Sequence, residues 1–334
     1  MKKFIIAVIL AVLFASCGDD DIGGGSGSGG SGGTGNGFIY IGGSYTDSGV
    51  EKACYWVDGE RYELNGTSVE NIIAVGNTMY AAGYYDEDGV LKACYWINQT
   101  RHDLSGLRIE GFYDYGQISV DSGNVYIVGV YDGNGNEDNA KVTYWVNGIR
   151  REPPADGIMS DVYAANGSVY IVGSYDDGGT LKPCYWINGS RLELPNIAAG
   201  SPDWIGGTII VKDNKIYVSC NFDFEYSSYW IDGVQQKVLT DAIIAFAVSG
   251  GDVYMAGSSG VYKNSEIIIY QEYDNRMTFP PFHTMFAVSR GKVYTCGSES
   301  EYINGGYVYN ACYWVDGEQF FLDGAYAYAI FVKE

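Results

Sequence analysis

From residue 37 onward the chain alternates short apolar runs with clusters of Gly, Asn, Asp and Ser. Runs bounded by turn residues in this way read as strands joined by tight turns. The segment DVYAANGSVYIVGSYDDGGTLKPCYWINGSRLELP, residues 161–195, shows the unit. It predicts strands over Asp161–Ala165, Ser168–Tyr175, Leu181–Ile187 and Arg191–Leu194. Asn166-Gly167 and Asn188-Gly189 lie between them as two-residue hairpins, since both central residues of such a turn tolerate positive φ. Asp58-Gly59, Asn147-Gly148, Asp232-Gly233 and Asp316-Gly317 repeat the second of these turns.

The unit recurs. ACYWVDGERYEL at 53–64 returns as ACYWINQTRHDL at 93–104, PCYWINGSRLEL at 183–194 and ACYWVDGEQFFL at 311–322. The tryptophans of the Tyr-Trp pair are Trp56, Trp96, Trp145, Trp186, Trp230 and Trp314, spaced by 40, 49, 41, 44 and 84 residues. The last gap is about twice a period of ~42, so one unit has lost its tryptophan, near Tyr270; a period of this length in an all-β chain points to propeller blades. A Tyr followed three positions later by Gly confirms the count: Tyr40, Tyr80, Tyr126, Tyr170, Tyr254 and Tyr294 all have it, and Tyr217 has Cys220 in place of the glycine.

Within a unit, Cys54 and Trp56 point to one face of the strand, Tyr55 and Val57 to the other. Both faces are largely apolar, so both need covering, as in a blade between two neighbours. The first unit begins without its inner strand, at GFIYIGGSY, and the chain ends on a spare strand, AYAYAIFVKE, residues 325–334. The expectation is an all-β, seven-bladed β-propeller of four-stranded blades over 37–334. Its first blade is closed by the C-terminal strand, leaving no long free edges. The unit resembles a distant kelch-type repeat, which has an inner strand, an apolar strand ending in a Gly pair (kept here as Gly42-Gly43), then strands carrying Tyr and Trp. Kelch-like folds host both enzymes and binders, so the resemblance implies the fold and leaves the activity to the site.

Composition agrees: 31 Tyr and 47 Gly against 7 Pro, with 46% hydrophobic residues, favour a large strand-built core. The net charge of −21 argues against nucleic-acid partners, because such a surface repels phosphate backbones. It repels anionic headgroups too, so membrane attachment calls for a covalent anchor.

MKKFIIAVILAVLFASC supplies one. Two lysines precede an apolar run too short to span a bilayer, which reads as a signal peptide over 1–16. Phe14-Ala15-Ser16-Cys17 resembles the lipobox of bacterial lipoproteins, which implies lipidation of Cys17 and anchoring by its acyl chains. Gly18-Asp19-Asp20-Asp21 resembles the surface-export signal of Bacteroidetes-type lipoproteins. The Gly/Ser-rich stretch that follows makes 17–36 a flexible tether. Together these place the protein at the outer membrane or cell surface. Gly29-Gly30-Ser31-Gly32-Gly33 matches a nucleophile elbow in letters only, for no strand precedes it and no helix follows.

Candidate chemistry is sparse. Cys54, Cys94, Cys184 and Cys312 hold one position in four units; sheets pack ~10 Å apart, too far for equivalent cysteines of neighbouring blades to bond. They read as small packing residues. His102 and His283 have no zinc-type spacing. The turns carrying Asp86, Asp88, Asp132, Asp138, Asp176 and Asp177 have the carboxylates a Ca²⁺ site needs, but Asp and Gly are also ordinary turn residues. No other cofactor is expected. The repeat tyrosines and tryptophans read as packing between blades. Aromatics off the repeat, Trp204, Phe112, Tyr113, Tyr115, Phe222, Phe224, Tyr226, Phe279 and Phe282, fall near strand ends or in connections, and are the candidate face for an extracellular glycan or protein. The reading is a non-catalytic binding module. The alternatives are an accessory subunit of an envelope complex, or a polysaccharide lyase or glycosidase, which would need a pair of carboxylates.

Overall fold

The computed structural model describes residues 37–104, 117–131, 141–152, 157–195, 204–222, 226–239, 241, 243–257, 260–270, 285–303 and 306–333. The described residues form 28 strands in seven four-stranded antiparallel sheets, a seven-bladed β-propeller. Blade 1 takes its innermost strand from the C-terminus, Tyr326–Lys333, followed outward by Phe38–Asp47, Val50–Val57 and Glu60–Glu63. Blades 2 to 7 span 68–103, 117–151, 157–193, 204–239, 243–270 and 285–321. Each innermost strand touches that of the next blade, and Tyr326–Lys333 touches those of blades 7 and 2, so the ring closes.

The tryptophans of the third strands are the core of six blades. Trp56, Trp96, Trp145, Trp186 and Trp230 are fully buried, and Trp314 nearly so. Three of them lie over a glycine just before, or at the start of, their own innermost strand. A Cβ on Gly324, Gly66 or Gly157 would stand 2.4–2.5 Å from the indole of Trp56, Trp96 or Trp186. Blade 6 is the unit without tryptophan, and the register puts Tyr262, not Tyr270, in its place: Tyr262 pairs with Met255 as Trp96 pairs with Ala81. The turn before this strand is short, so the position arrives early in the sequence. The Tyr262 hydroxyl donates to Asp241 Oδ2 at 2.8 Å.

The glycine three residues after the repeat tyrosine faces a slip in the innermost strand. In blades 1, 2, 4 and 6 that strand carries one extra residue at this point, and in blade 5 the extra residue comes further along, opposite Asn221 and Phe222. A Cβ on Gly43, Gly83 or Gly173 would stand 2.0–2.1 Å from a carbonyl oxygen of the bulged strand. In blade 5, where Cys220 takes the glycine position, its partner in the register is Gly207. The close approach keeps one glycine, moved across the pair. These bulges break the alternation along the innermost strands, so in blade 4 that strand runs Gly157–Ala165, longer than the pattern of apolar residues predicts.

The hairpin between third and fourth strands is held the same way in all seven blades. Its first residue, at φ of 48–53°, is always Asn or Asp. The side-chain Oδ1 of Asp58, Asn98, Asn147, Asn188, Asp232, Asn264 and Asp316 accepts a backbone N–H from the second strand at 2.8–3.1 Å. Polar side chains also tie neighbouring innermost strands, which share no backbone ladder. Ser160 Oγ donates to Gly207 O at 2.8 Å, Ile209 N–H donates to Asp161 Oδ2 at 3.0 Å, and Ala164 N–H donates to Ser119 Oγ at 3.0 Å.

Candidate functional site

In a four-stranded meander the first and third turns share one end of the blade. The second turn and the connection to the next blade share the other. Strand ends at Trp204, Phe222 and Tyr226 lie at this second end, and the register sets the three in one row across blade 5, Trp204 opposite Phe222 and Phe222 opposite Tyr226. The other off-repeat aromatics, Phe112, Tyr113, Tyr115, Phe224, Phe279 and Phe282, lie outside the described residues.

The same end carries a group of tyrosines that the sequence reading did not single out. The hairpin of blade 7, Lys292–Ile303 with Gly306–Val315, stays paired as far as Ile303 opposite Gly306, two pairs beyond the equivalent hairpin of blade 2. Alternation sets Ser298, Ser300 and Tyr302 on one side with Tyr307, Tyr309 and Ala311. Ser298 Oγ accepts the N–H of Ala327 at 3.4 Å, so this side faces the innermost strand of blade 1. The rings follow one another inward. Tyr302 meets Tyr307 edge-on at 5.0 Å between centroids, Tyr307 meets Tyr309 at 6.5 Å, Tyr309 meets Tyr326 at 5.0 Å, and Tyr326 stacks on Tyr328 at 5.7 Å. The outer rings are open to solvent: Tyr302 is 65%, Tyr307 66% and Tyr309 41% exposed.

The inner end of this ladder is acidic. Tyr328 is the extra residue of the blade 1 bulge, and Glu70 is its counterpart in blade 2. Burial raises the Tyr328 hydroxyl pKa, and the charges of Glu70 and Glu51 raise it further, against a smaller lowering by a hydrogen bond with Ser44. Burial, then Tyr309 and Glu51, raise that of Tyr326. Both therefore stay neutral hydroxyls at any ordinary pH. Glu51 accepts from Ser44 Oγ and Glu70 from Ser68 Oγ, each at 2.6 Å. A sequence signal for the ladder existed: Gly297 and Cys312 are 15 positions apart, where Gly83 and Cys94 are 11 apart. The extra length carries Tyr302, Tyr307 and Tyr309.

The acidic turns at this end are engaged in their own hairpins. Asp86 Oδ1 accepts the N–H of Gly89 at 3.0 Å, and Asp176 Oδ1 that of Gly179 at 2.6 Å. Asp47, Glu87 and Asp177 pair with Lys52, Lys92 and Lys182, and those lysines hold all three carboxyls below their ordinary pKa. Asp88 takes the left-handed turn position at φ 57°. Asp132 and Asp138 lie outside the described residues. Among the described residues no group of three His, Cys, Asp or Glu side chains is placed to hold a metal ion. The six described cysteines are buried and none is in a disulfide, and burial raises the thiol pKa of Cys54, Cys94 and Cys312, the last to about 11. A buried thiol with a raised pKa is a packing group and a poor nucleophile, which describes these three. His102 stacks on Tyr95 at 4.9 Å.

The opposite end of the ring holds a cavity of about 240 Å³ between the innermost strands of blades 1 to 5. Three of its polar groups already serve the fold. Asp121 Oδ2 accepts the N–H of Gly167 at 2.8 Å, and Lys212 Nζ donates to Val248 O at 3.1 Å. Ser119 is bonded to Ala164 as above. The ladder, with open rings and no packing duty at its outer end, is the better candidate.

No protein-family model matches the chain, and neither does any curated protein. Among solved structures it is similar to the computationally designed Ika8 protein, at 14% identity over 87% of this chain and 80% of that one, with a TM-score of 0.43. It is similar to the acylaminoacyl peptidase of Pyrococcus horikoshii at 12% identity over 85% of this chain and 50% of the peptidase, TM-score 0.48. The β-propeller domain of the Trilobed protease from Pyrococcus furiosus gives 12% identity over 75% of this chain and 82% of that one, TM-score 0.40. The fold assignment rests on the strand pairing itself, and none of these likenesses bears on function.

Proposed function

We propose that the protein is a non-catalytic binding module, a propeller lipoprotein held at the outer membrane or cell surface through Cys17. On this reading it takes an extracellular protein or glycan at the end of the ring that carries the tyrosine ladder. One observation supports it most: three tyrosines stand open on a hairpin longer than its counterpart in blade 2, where packing does not require them. Tyrosine presents a large rigid surface with a polar handle, which suits it to contact surfaces. The tether of 17–36 gives such a module reach away from the membrane.

Two measurements test this. Cys17→Ala releases the protein from membranes; retention of the variant defeats the anchor. Thermal unfolding against a panel of basic peptides and neutral glycans tests the site. A ligand at a hundredfold its Kd adds about 2.7 kcal/mol. The shift is expected in the wild type and absent in Tyr302→Ala/Tyr307→Ala/Tyr309→Ala. A shift that survives in that variant places the binding elsewhere on the ring.

A further inference from the structure

We propose that the ladder receives an extended, arginine-bearing segment of a partner protein, with arginines at alternate positions. The proposal rests on the binding-module reading and names its ligand.

The molecule itself shows what its tyrosine faces accept. The Arg61 guanidinium lies 4.2 Å from the Tyr45 ring centroid, Arg101 lies 3.8 Å from Tyr85 and Arg191 lies 3.8 Å from Tyr175. Carboxylates complete two of these pairs, Arg61 Nη1 reaching Asp323 at 2.9 Å and Arg101 Nε reaching Asp103 at 3.0 Å; in the third the Tyr175 hydroxyl donates to Glu193 at 3.0 Å. A guanidinium between an aromatic face and a carboxylate is attracted to both. The ladder has the aromatic faces and, at its inner end, Glu51 and Glu70. Glu299 and Glu301 stand on the far side of the same hairpin. The ring contacts of Tyr302, Tyr307 and Tyr309 are with one another and with Tyr326. Among the described residues no guanidinium covers them, so the third member of the arrangement is left to a ligand.

Charge and spacing narrow the class. A net charge of −21 draws a cationic segment toward the protein and repels sulfated or phosphorylated chains, while a neutral glycan gains nothing from it. In an extended peptide, side chains on one side recur every ~6.7 Å, two residues at ~3.3–3.4 Å each. From Tyr307 to Tyr309 to Tyr326 the ring centroids are 6.5 and 5.0 Å apart. Arginines at alternate positions therefore match the step from Tyr307 to Tyr309, while the step to Tyr326 is shorter than one such repeat.

The test is fluorescence anisotropy on the full chain with labelled nonapeptides alternating Arg-Gly, Lys-Gly or Gln-Gly, and with a labelled neutral hexasaccharide. The proteins are the wild type, Tyr302→Ala/Tyr307→Ala and Tyr302→Phe/Tyr307→Phe. Both side chains are on an exposed hairpin, and a melting curve of each variant checks that the ring is intact. The Arg-Gly peptide is expected to bind the wild type best, and more weakly as salt rises. The Ala pair should weaken it by about 5- to 30-fold, the range two exposed cation–π contacts give. The Phe pair should keep it within about twofold, because the ring face is what the cation meets. Equal binding to the wild type and the Ala pair overturns the proposal, since general acidity would then account for it. If the hexasaccharide binds and loses affinity in the Ala pair while the Arg-Gly peptide does not bind, the proposal falls and the binding-module reading stands. If neither probe binds the wild type, the proposal falls; the binding-module reading then fails as well if the thermal panel is also flat.

Discussion

Gly66 lies beneath the indole of Trp96, so close that a Cβ on the glycine would stand 2.5 Å from Cζ2 and 2.8 Å from the carbonyl oxygen of Tyr84. Neither neighbour has room to yield, because Trp96 is fully buried. Gly66→Ala is therefore expected to destabilise by about 1–3 kcal/mol, the usual cost of overpacking a full core. Denaturant unfolding measures it. Gly49→Ala is the control, since a Cβ at this turn glycine meets nothing within 4 Å. It costs only the strain of its φ of 80°. Equal midpoints for the wild type and Gly66→Ala would show that the indole moves aside.

The Asn188 side chain accepts the N–H of Val169 at 2.9 Å from a backbone at φ 49°. Alanine at this position loses the bond and the tolerance for that conformation. A loss of about 1–2 kcal/mol is expected for Asn188→Ala. Asn188→Asp should be nearly silent, because Asp58, Asp232 and Asp316 do the same work in other blades. Chemical denaturation of the two variants separates the contributions.

Asp161 is fully buried between blades 4 and 5. Burial pushes its pKa up to about 8 from an ordinary 3.8, against backbone N–H groups of Ile209 and Val162 that pull it down. In the unfolded chain the carboxyl loses its proton near pH 4; in the fold it holds the proton until about pH 8. The unfolded state thus binds fewer protons across this window, and stability falls as pH rises through it, by up to about 1.4 kcal/mol per unit. Asp161→Asn should remove this slope and be more stable than the wild type at pH 8, with little difference at pH 4. Asn71 holds the equivalent place in blade 2, opposite Ala82 as Asp161 is opposite Val172, so an amide fits there. Unfolding free energies at four pH values decide it. A wild-type slope that persists in the variant assigns the dependence to another group.

The pairing of Phe38 with Lys333 through to Ser44 with Tyr326 is what closes the ring. Removing residues 325–334 strips the inner edge of Phe38–Asp47 and opens both flanks of the gap. The truncated protein should lose its cooperative melt and associate through the bared edge, read by calorimetry and gel filtration. A monomer with the wild-type melting temperature would show that six complete blades hold without the seventh.

The number of blades, the closure by the C-terminal strand and the hairpin positions were legible in the sequence, because each follows from local periodicity. A strand alternates every two residues, a two-residue turn needs Asn, Asp or Gly, and a repeat near 42 residues writes these requirements seven times. Sequence spacing sets the lost tryptophan near Tyr270, and Tyr262 stands in its place, because a shortened turn shifts sequence spacing without shifting register. The ladder was not legible, although its tyrosines were in plain view. Tyr302, Tyr307 and Tyr309 belong to the last blade and Tyr326 and Tyr328 to the first. Glu51 and Glu70 come from hundreds of residues earlier in the chain. The extra length between Gly297 and Cys312 marks Tyr302, Tyr307 and Tyr309 as additions to the unit, but nothing local says what their rings meet. Only the closing of the ring brings the end of the chain against its beginning, and with it the aromatic row against the two carboxylates.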